Sequence, residues 1–160
     1  MKKFTLVLML LALTAMSSLS ALAQDDKTVT ILYWQAASTV NPYLSGGTKD
    51  IDASAIVLEP LASYTPDGMM IPRIAADIPT VENGGVAEDL MSITWTIKEG
   101  IMWSDGTPVT SADVVWTANY CMNEETGCAR AAEFSGISSV ESIDDSTVTI
   151  TLEAPTPFPY

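Results

Sequence analysis

Alternation is cleanest in "MSITWTI", residues 91–97, where Ile93, Trp95 and Ile97 share one face and Ser92, Thr94 and Thr96 the other. That period of two predicts a half-buried strand. An unbroken β-branched and aromatic run, "TVTILYW" at 28–34, predicts a fully buried strand. Behind it "QAASTVNPYLSGGTKD" carries Asn-Pro and Gly-Gly and reads as a loop. A helix is expected to start near Asp50 or Asp52, either of which could cap it, and to run through "ASAIVLE" until Pro60 stops it. "LASYT" and "MIPRIA" flank Pro66-Asp67-Gly68 and predict a short strand pair around a β-turn. "DIPTVENGGVAED", residues 77–89, reads as an exposed acidic loop. Thr110-x-x-Asp113 is a variant capping box, and Val114, Ala118 and Cys121 continue from it as one apolar stripe of a helix ending near Met122. "GISSVESID" and "STVTITLE" flank Asp144-Asp145 as a second hairpin, and no internal repeat is visible.

The first residues depart from this pattern. Lys2 and Lys3 precede an apolar run at 4–15, and Ala21-Leu22-Ala23 has the small-x-small form that a signal peptidase reads. The run falls short of the ~20 apolar residues that cross a bilayer. A cleaved secretory signal over 1–23 is therefore expected, with Gln24 as the mature N-terminus. No Cys follows the cleavage site, so the mature chain is expected to be soluble and without a lipid anchor. Loss of Lys2 and Lys3 takes the net charge from −13 to −15. So acidic a chain repels phosphate backbones and anionic lipid, which argues against nucleic acid and membrane surfaces as partners.

Candidate chemistry is sparse. The chain has no His, which removes the commonest general base and metal ligand. Asp105 and Asp113 stand eight positions apart, but Ser104-Asp105-Gly106 is a turn and Asp113 a helix start, so both read as structural. Cys121 and Cys128 in "CMNEETGC" read as a disulfide closing a short loop, worth roughly 2–3 kcal/mol. A redox site would more typically be Cys-x-x-Cys, and zinc would need further ligands. Trp95, Trp103 and Trp116 are expected in core packing. The chain stops at "EAPTPFPY", directly after a strand, which suggests a truncated record.

The order of these pieces resembles the extracellular solute-binding proteins of family 5, the oligopeptide-, dipeptide- and nickel-binding components of ABC importers. Four segments carry the likeness: "VNPYL", "VLEPLASYTPDGMMIPRIAADIP", "SITWTIKEGIMWSDGTPVTSADVVWT" and "VESIDDSTVTITLEAPTPF". The third is the most specific, matching the family's strand, Trp-Ser-Asp-Gly-x-Pro turn and Thr-x-x-Asp-Val helix start. Departures are "GIMW", where Gly-Val-Lys-Trp is common, and the acidic loop at 81–89.

The resemblance implies an α/β, two-lobed periplasmic-binding-protein fold of class II type. Residues 24–58 would begin lobe one, and 59–160 would belong to its small β-rich subdomain. It also implies that the loop after the first strand offers backbone groups to an extended ligand, here Ser45, Gly46, Gly47 and Thr48. Ser38 and Thr39 are second candidates, because open α/β sheets bind ligand beyond strand C-termini. Trp34 is the aromatic placed nearest the cleft. The function implied is a cofactor-free, monomeric, periplasmic or extracellular binder that passes a peptide or similar solute to ABC permease subunits. A sensor of the same fold and a secreted hydrolase are the alternatives; the second lacks a Gly-x-Ser-x-Gly elbow and any His.

Overall fold

A computed structural model describes residues 28–157, so the expected leader at 1–23 and the final three residues lie outside the described residues. Two compact units divide the chain, Met1–Trp34 and Gln35–Tyr160. Of the first, residues 28–34 are described, and they form no strand. Leu32 is 95% exposed, and Val29 and Ile31 also face outward. The buried strand expected here is thus not observed. β-Branched residues fit a pleated surface, but a strand exists only with a ladder partner, and this run has none among the described residues.

The second unit begins with a loop and a short helix, α1 (Thr48–Ser54). Its N-cap is Gly47, which makes no side-chain cap bond, so neither Asp50 nor Asp52 caps it. The helix also stops well before Pro60. The Ser54 hydroxyl donates to the Ile51 carbonyl at 2.6 Å, and the Ile56 and Val57 amides turn back three residues to Ala53 and Ser54. That tightened turn ends the helix and leaves Ile56 and Val57 exposed.

β1 (Ala62–Tyr64) and β2 (Met70–Pro72) pair antiparallel around the Pro-Asp-Gly turn, as predicted. Gly68 takes φ +80, a left-handed geometry that costs glycine little. β3 (Ser92–Thr96), β4 (Ile137–Ser142) and β5 (Thr147–Leu152) form a sheet in the order β3-β5-β4, antiparallel throughout, with a register shift between Ile137 and Ser139. α2 (Ser111–Met122) packs over β4 and β5. Ile93, Trp95 and Val148 from the sheet, Ala118 from α2, and Ala75, Val86 and Val140 make the core.

The acidic loop at 77–89 is less exposed than its composition suggests. Pro79 and Val86 are buried within it. The Asn83 side chain accepts from the Thr80 and Gly85 amides at 2.8 and 3.0 Å and donates to the Ile78 carbonyl at 2.9 Å. This clasp sets Gly85 against Pro79 and turns Val86 inward. Along the outer side of β3 the Thr94 amide donates to the Gly85 carbonyl at 2.7 Å, and the Ala76 amide donates to the Thr96 carbonyl at 2.7 Å.

α2 starts as expected: the Asp113 carboxylate accepts from the Thr110 amide at 2.8 Å, closing a capping box. The Ser111 hydroxyl is buried against Ser142 Oγ at 2.6 Å and the Asp144 carbonyl, which joins the helix start to the β4–β5 turn. At its other end Cys121 and Cys128 are bonded, with Cα atoms 5.1 Å apart. Two of the three tryptophans expected in the core are not there. Trp95 is buried, whereas Trp103 is 42% and Trp116 67% exposed. Trp116 instead stacks on Tyr120, ring centroids 5.5 Å apart.

Candidate functional site

Residues 38–50 are gathered around one carboxylate. Asp50, in the first turn of α1, is only 2% exposed. Its Oδ1 accepts from the Ser38 amide at 2.6 Å and the Thr39 amide at 3.3 Å. Its Oδ2 accepts from the Ser45 hydroxyl at 2.7 Å, and the Ser38 hydroxyl lies 3.3 Å from both oxygens. Lys49 Nζ completes the set, donating to both carboxylate oxygens at 2.8 Å and to the Ser38 hydroxyl. The Lys49 contact, followed by those of Ser45 and Ser38, holds the Asp50 carboxyl well below the usual carboxylate range.

The rest of the loop is braced by its own turn chemistry. Asn41 Oδ1 accepts from the Tyr43 amide at 3.0 Å, an Asx turn directly before Pro42 and Tyr43. The Gly47 amide donates to Ser45 Oγ at 3.1 Å, and the Gly47 carbonyl accepts from the Asp50 and Ile51 amides. The Tyr43 carbonyl accepts from the Ala129 amide at 2.8 Å, so the loop is also tied to the chain just past the Cys121–Cys128 bridge. Burial raises the Tyr43 hydroxyl above its ordinary pKa, with Arg130 opposing.

Of the sequence-predicted residues, Ser38, Thr39 and Ser45 meet directly at Asp50, and Gly47 bonds to Ser45. Gly46 lies between them, and Thr48 opens α1. Trp34 belongs to the other compact unit, where it is 72% exposed with its ring 5.8 Å from that of Tyr33. Gly46 is unlike its neighbours. Its φ is not positive, and a Cβ built on it meets no atom within 4 Å. Neither its amide nor its carbonyl has a hydrogen-bond partner among the described residues. Asp50 and Lys49 are the residues that sequence reasoning missed as parts of this site. Asp50 was read as a helix cap, and nothing local signals that its carboxylate folds back onto residues eleven and twelve positions earlier.

The arrangement offers backbone and hydroxyl groups, with no pair of carboxylates facing each other. Asp105 accepts from the Thr107 amide and hydroxyl at 2.9 and 2.7 Å, and these bonds lower its pKa. Asp113 accepts from Thr110 and, at 3.4 Å, from Trp103 Nε1. The two are fixed by separate turns, as their sequence context indicates. Among the described residues no group of three or more His, Cys, Asp or Glu could hold a metal ion, and no helix is long and apolar enough to cross a membrane.

Comparison with known proteins gives the frame for this loop. Residues 70–160 match the family described as bacterial extracellular solute-binding proteins, family 5, middle part. The chain belongs to that family. "Protein XP55" of Streptomyces lividans is 31% identical over 117 residues, covering 73% of this chain and 20% of its own length. A Brucella ovis protein whose name marks it as a candidate ABC transporter peptide-binding protein is 36% identical over 72 residues, 45% of this chain and 14% of its own. Haemophilus influenzae OppA, solved with the peptide RPPGFSPFR, superimposes with a TM-score of 0.67 at 19% identity, over 78% of this chain and 26% of OppA. That likeness establishes the fold as the periplasmic-binding-protein fold, of which this chain is a part. The family-5 match starts at Met70, so the loop at 38–48 precedes it.

Proposed function

We propose that the whole protein is the substrate-binding component of an ABC importer. It takes up a peptide or similar solute outside the inner membrane and delivers it to permease subunits, acting as a monomer and leaving the solute intact. Membership of family 5, the name of the Brucella relative and the peptide held by OppA support this reading. The leader read over residues 1–23 supports the location.

Gly46 carries the assignment of the loop. Neither backbone geometry nor packing requires glycine there, and its main-chain groups are unspent among the described residues. A glycine in that situation lets another chain come close to the backbone. An extended peptide could pair its own amides and carbonyls with this segment without its side chains being read, as in strand addition. Ser45, Gly47 and Thr48 flank the contact, with Ser38 and Thr39 as its further surroundings. Ligand contacts made in both lobes would shift the population toward a closed form that a permease recognises.

Full-length protein purified without denaturation should show, by native mass spectrometry, a bound solute of intact peptide mass. Peptides shortened on incubation with the protein, or no retained solute from a peptide pool, would overturn the proposal.

A further inference from the structure

Ser38 and Thr39 were assigned to ligand contact alongside Ser45 to Thr48, yet the amides of the first two are spent on Asp50. Ser45 likewise gives its hydroxyl to Asp50. One buried carboxylate therefore gathers both ends of the loop, and Lys49, whose side chain is itself only 14% exposed, closes over it. Gly46 directly follows the second of these ties, with no bond among the described residues and no packing neighbour of its own to fix it. What fixes it is Ser45 before it, held by Asp50, and Gly47 after it, whose amide donates to Ser45 Oγ and whose carbonyl accepts from the Asp50 and Ile51 amides.

We propose that Asp50 is a positioning residue for ligand capture: by holding Ser38, Thr39 and Ser45 ahead of Gly46, while Gly47 behind it is anchored to Ser45 and the helix start, it presets the Gly46 backbone in the conformation a ligand meets. The proposal rests on the reading of 45–48 as ligand-facing. A preset loop loses less conformational freedom on binding, so the gain is in affinity without any contact between Asp50 and the ligand. Charge matters as well as shape. An amide in place of the carboxylate would turn an NH2 group toward at least one of the donors now converging on Oδ1 and Oδ2.

The test uses the full-length protein and a pooled casein digest, with bound peptide read by native mass spectrometry and loop order by amide hydrogen exchange. Asp50→Asn should raise exchange at Ser38 and Thr39 and weaken peptide binding about tenfold. Lys49→Met, which removes one donor and leaves the carboxylate, should do both to a smaller degree and keeps the test open if Asp50→Asn does not fold. Gly46→Val separates the two readings, because Gly46 is exposed and a Cβ added there meets no atom within 4 Å, whereas a close ligand would meet the new side chain. If Gly46→Val weakens binding while Asp50→Asn and Lys49→Met loosen the loop at unchanged affinity, Asp50 is merely structural and the positioning role is overturned. If Gly46→Val and the Asp50 variant all bind as the parent does, the ligand-facing reading fails with it.

Discussion

Asp50 is buried and still ionised, because Lys49, two hydroxyls and two amides replace the water it has lost. Its folded pKa is depressed, so its contribution to stability is fully present above the ordinary carboxylate value and is lost as pH falls through the lowered one. Urea unfolding should therefore show a constant stability gap between the parent and Asp50→Asn from pH 7 to about 5. The gap should begin to close below about pH 4, where carboxylates ordinarily protonate. A gap that widened with acidity would contradict the assignment. Residues on a strict period were legible at this scale: Ile93, Trp95 and Ile97 are all buried as their alternation predicts. Trp116 was misplaced for a reason visible in its own helix. It lies two positions from Val114, about 200° around the axis from the buried stripe, so its size argued for burial against its phase.

Elements closed by local chemistry were readable in advance, and elements that need a distant partner were not. The Pro-Asp-Gly turn, the capping box at Thr110 and the hairpin around Asp144-Asp145 each form where their turn residues stand. Residues 28–34 have strand-like composition but no ladder, and the end of α1 was set by a serine turn ahead of the proline that was expected to set it. The disulfide is an intermediate case: spacing and the expected leader pointed to it, but its tie to the loop, from Ala129 to Tyr43, could not be seen in the chain. Reducing it should therefore be felt in two places. The Cys121→Ser, Cys128→Ser double variant should lose about 2–3 kcal/mol, measured by urea unfolding, and the Ala129 amide should exchange faster than those of β5. Equal protection at Ala129 with and without the bridge would show that the tie stands without it.

At the scale of the whole molecule, the chain covers 20% of its Streptomyces relative and 26% of OppA, and under the proposed function its loop would supply one side of a grip. Residues 24–160 expressed alone should bind a peptide pool at least about tenfold more weakly than the full-length protein, since contacts from one lobe give up most of the closure energy. Equal binding by isothermal titration would place the entire site within this portion. The loop was located by likeness, whereas the Asp50 bonds to Ser38 and Thr39 that shape it span eleven and twelve positions and leave no local signal. The outer side of β3 has a separate consequence. Gly85 and Ala76 already occupy its outward-facing Thr94 amide and Thr96 carbonyl. Where many copies of a chain fold side by side, an open, β-branched margin such as "SITWT" would template their stacking into fibrils. With two loop segments laid along that margin, the sheet is guarded on the side where its sequence is most prone to self-adhesion.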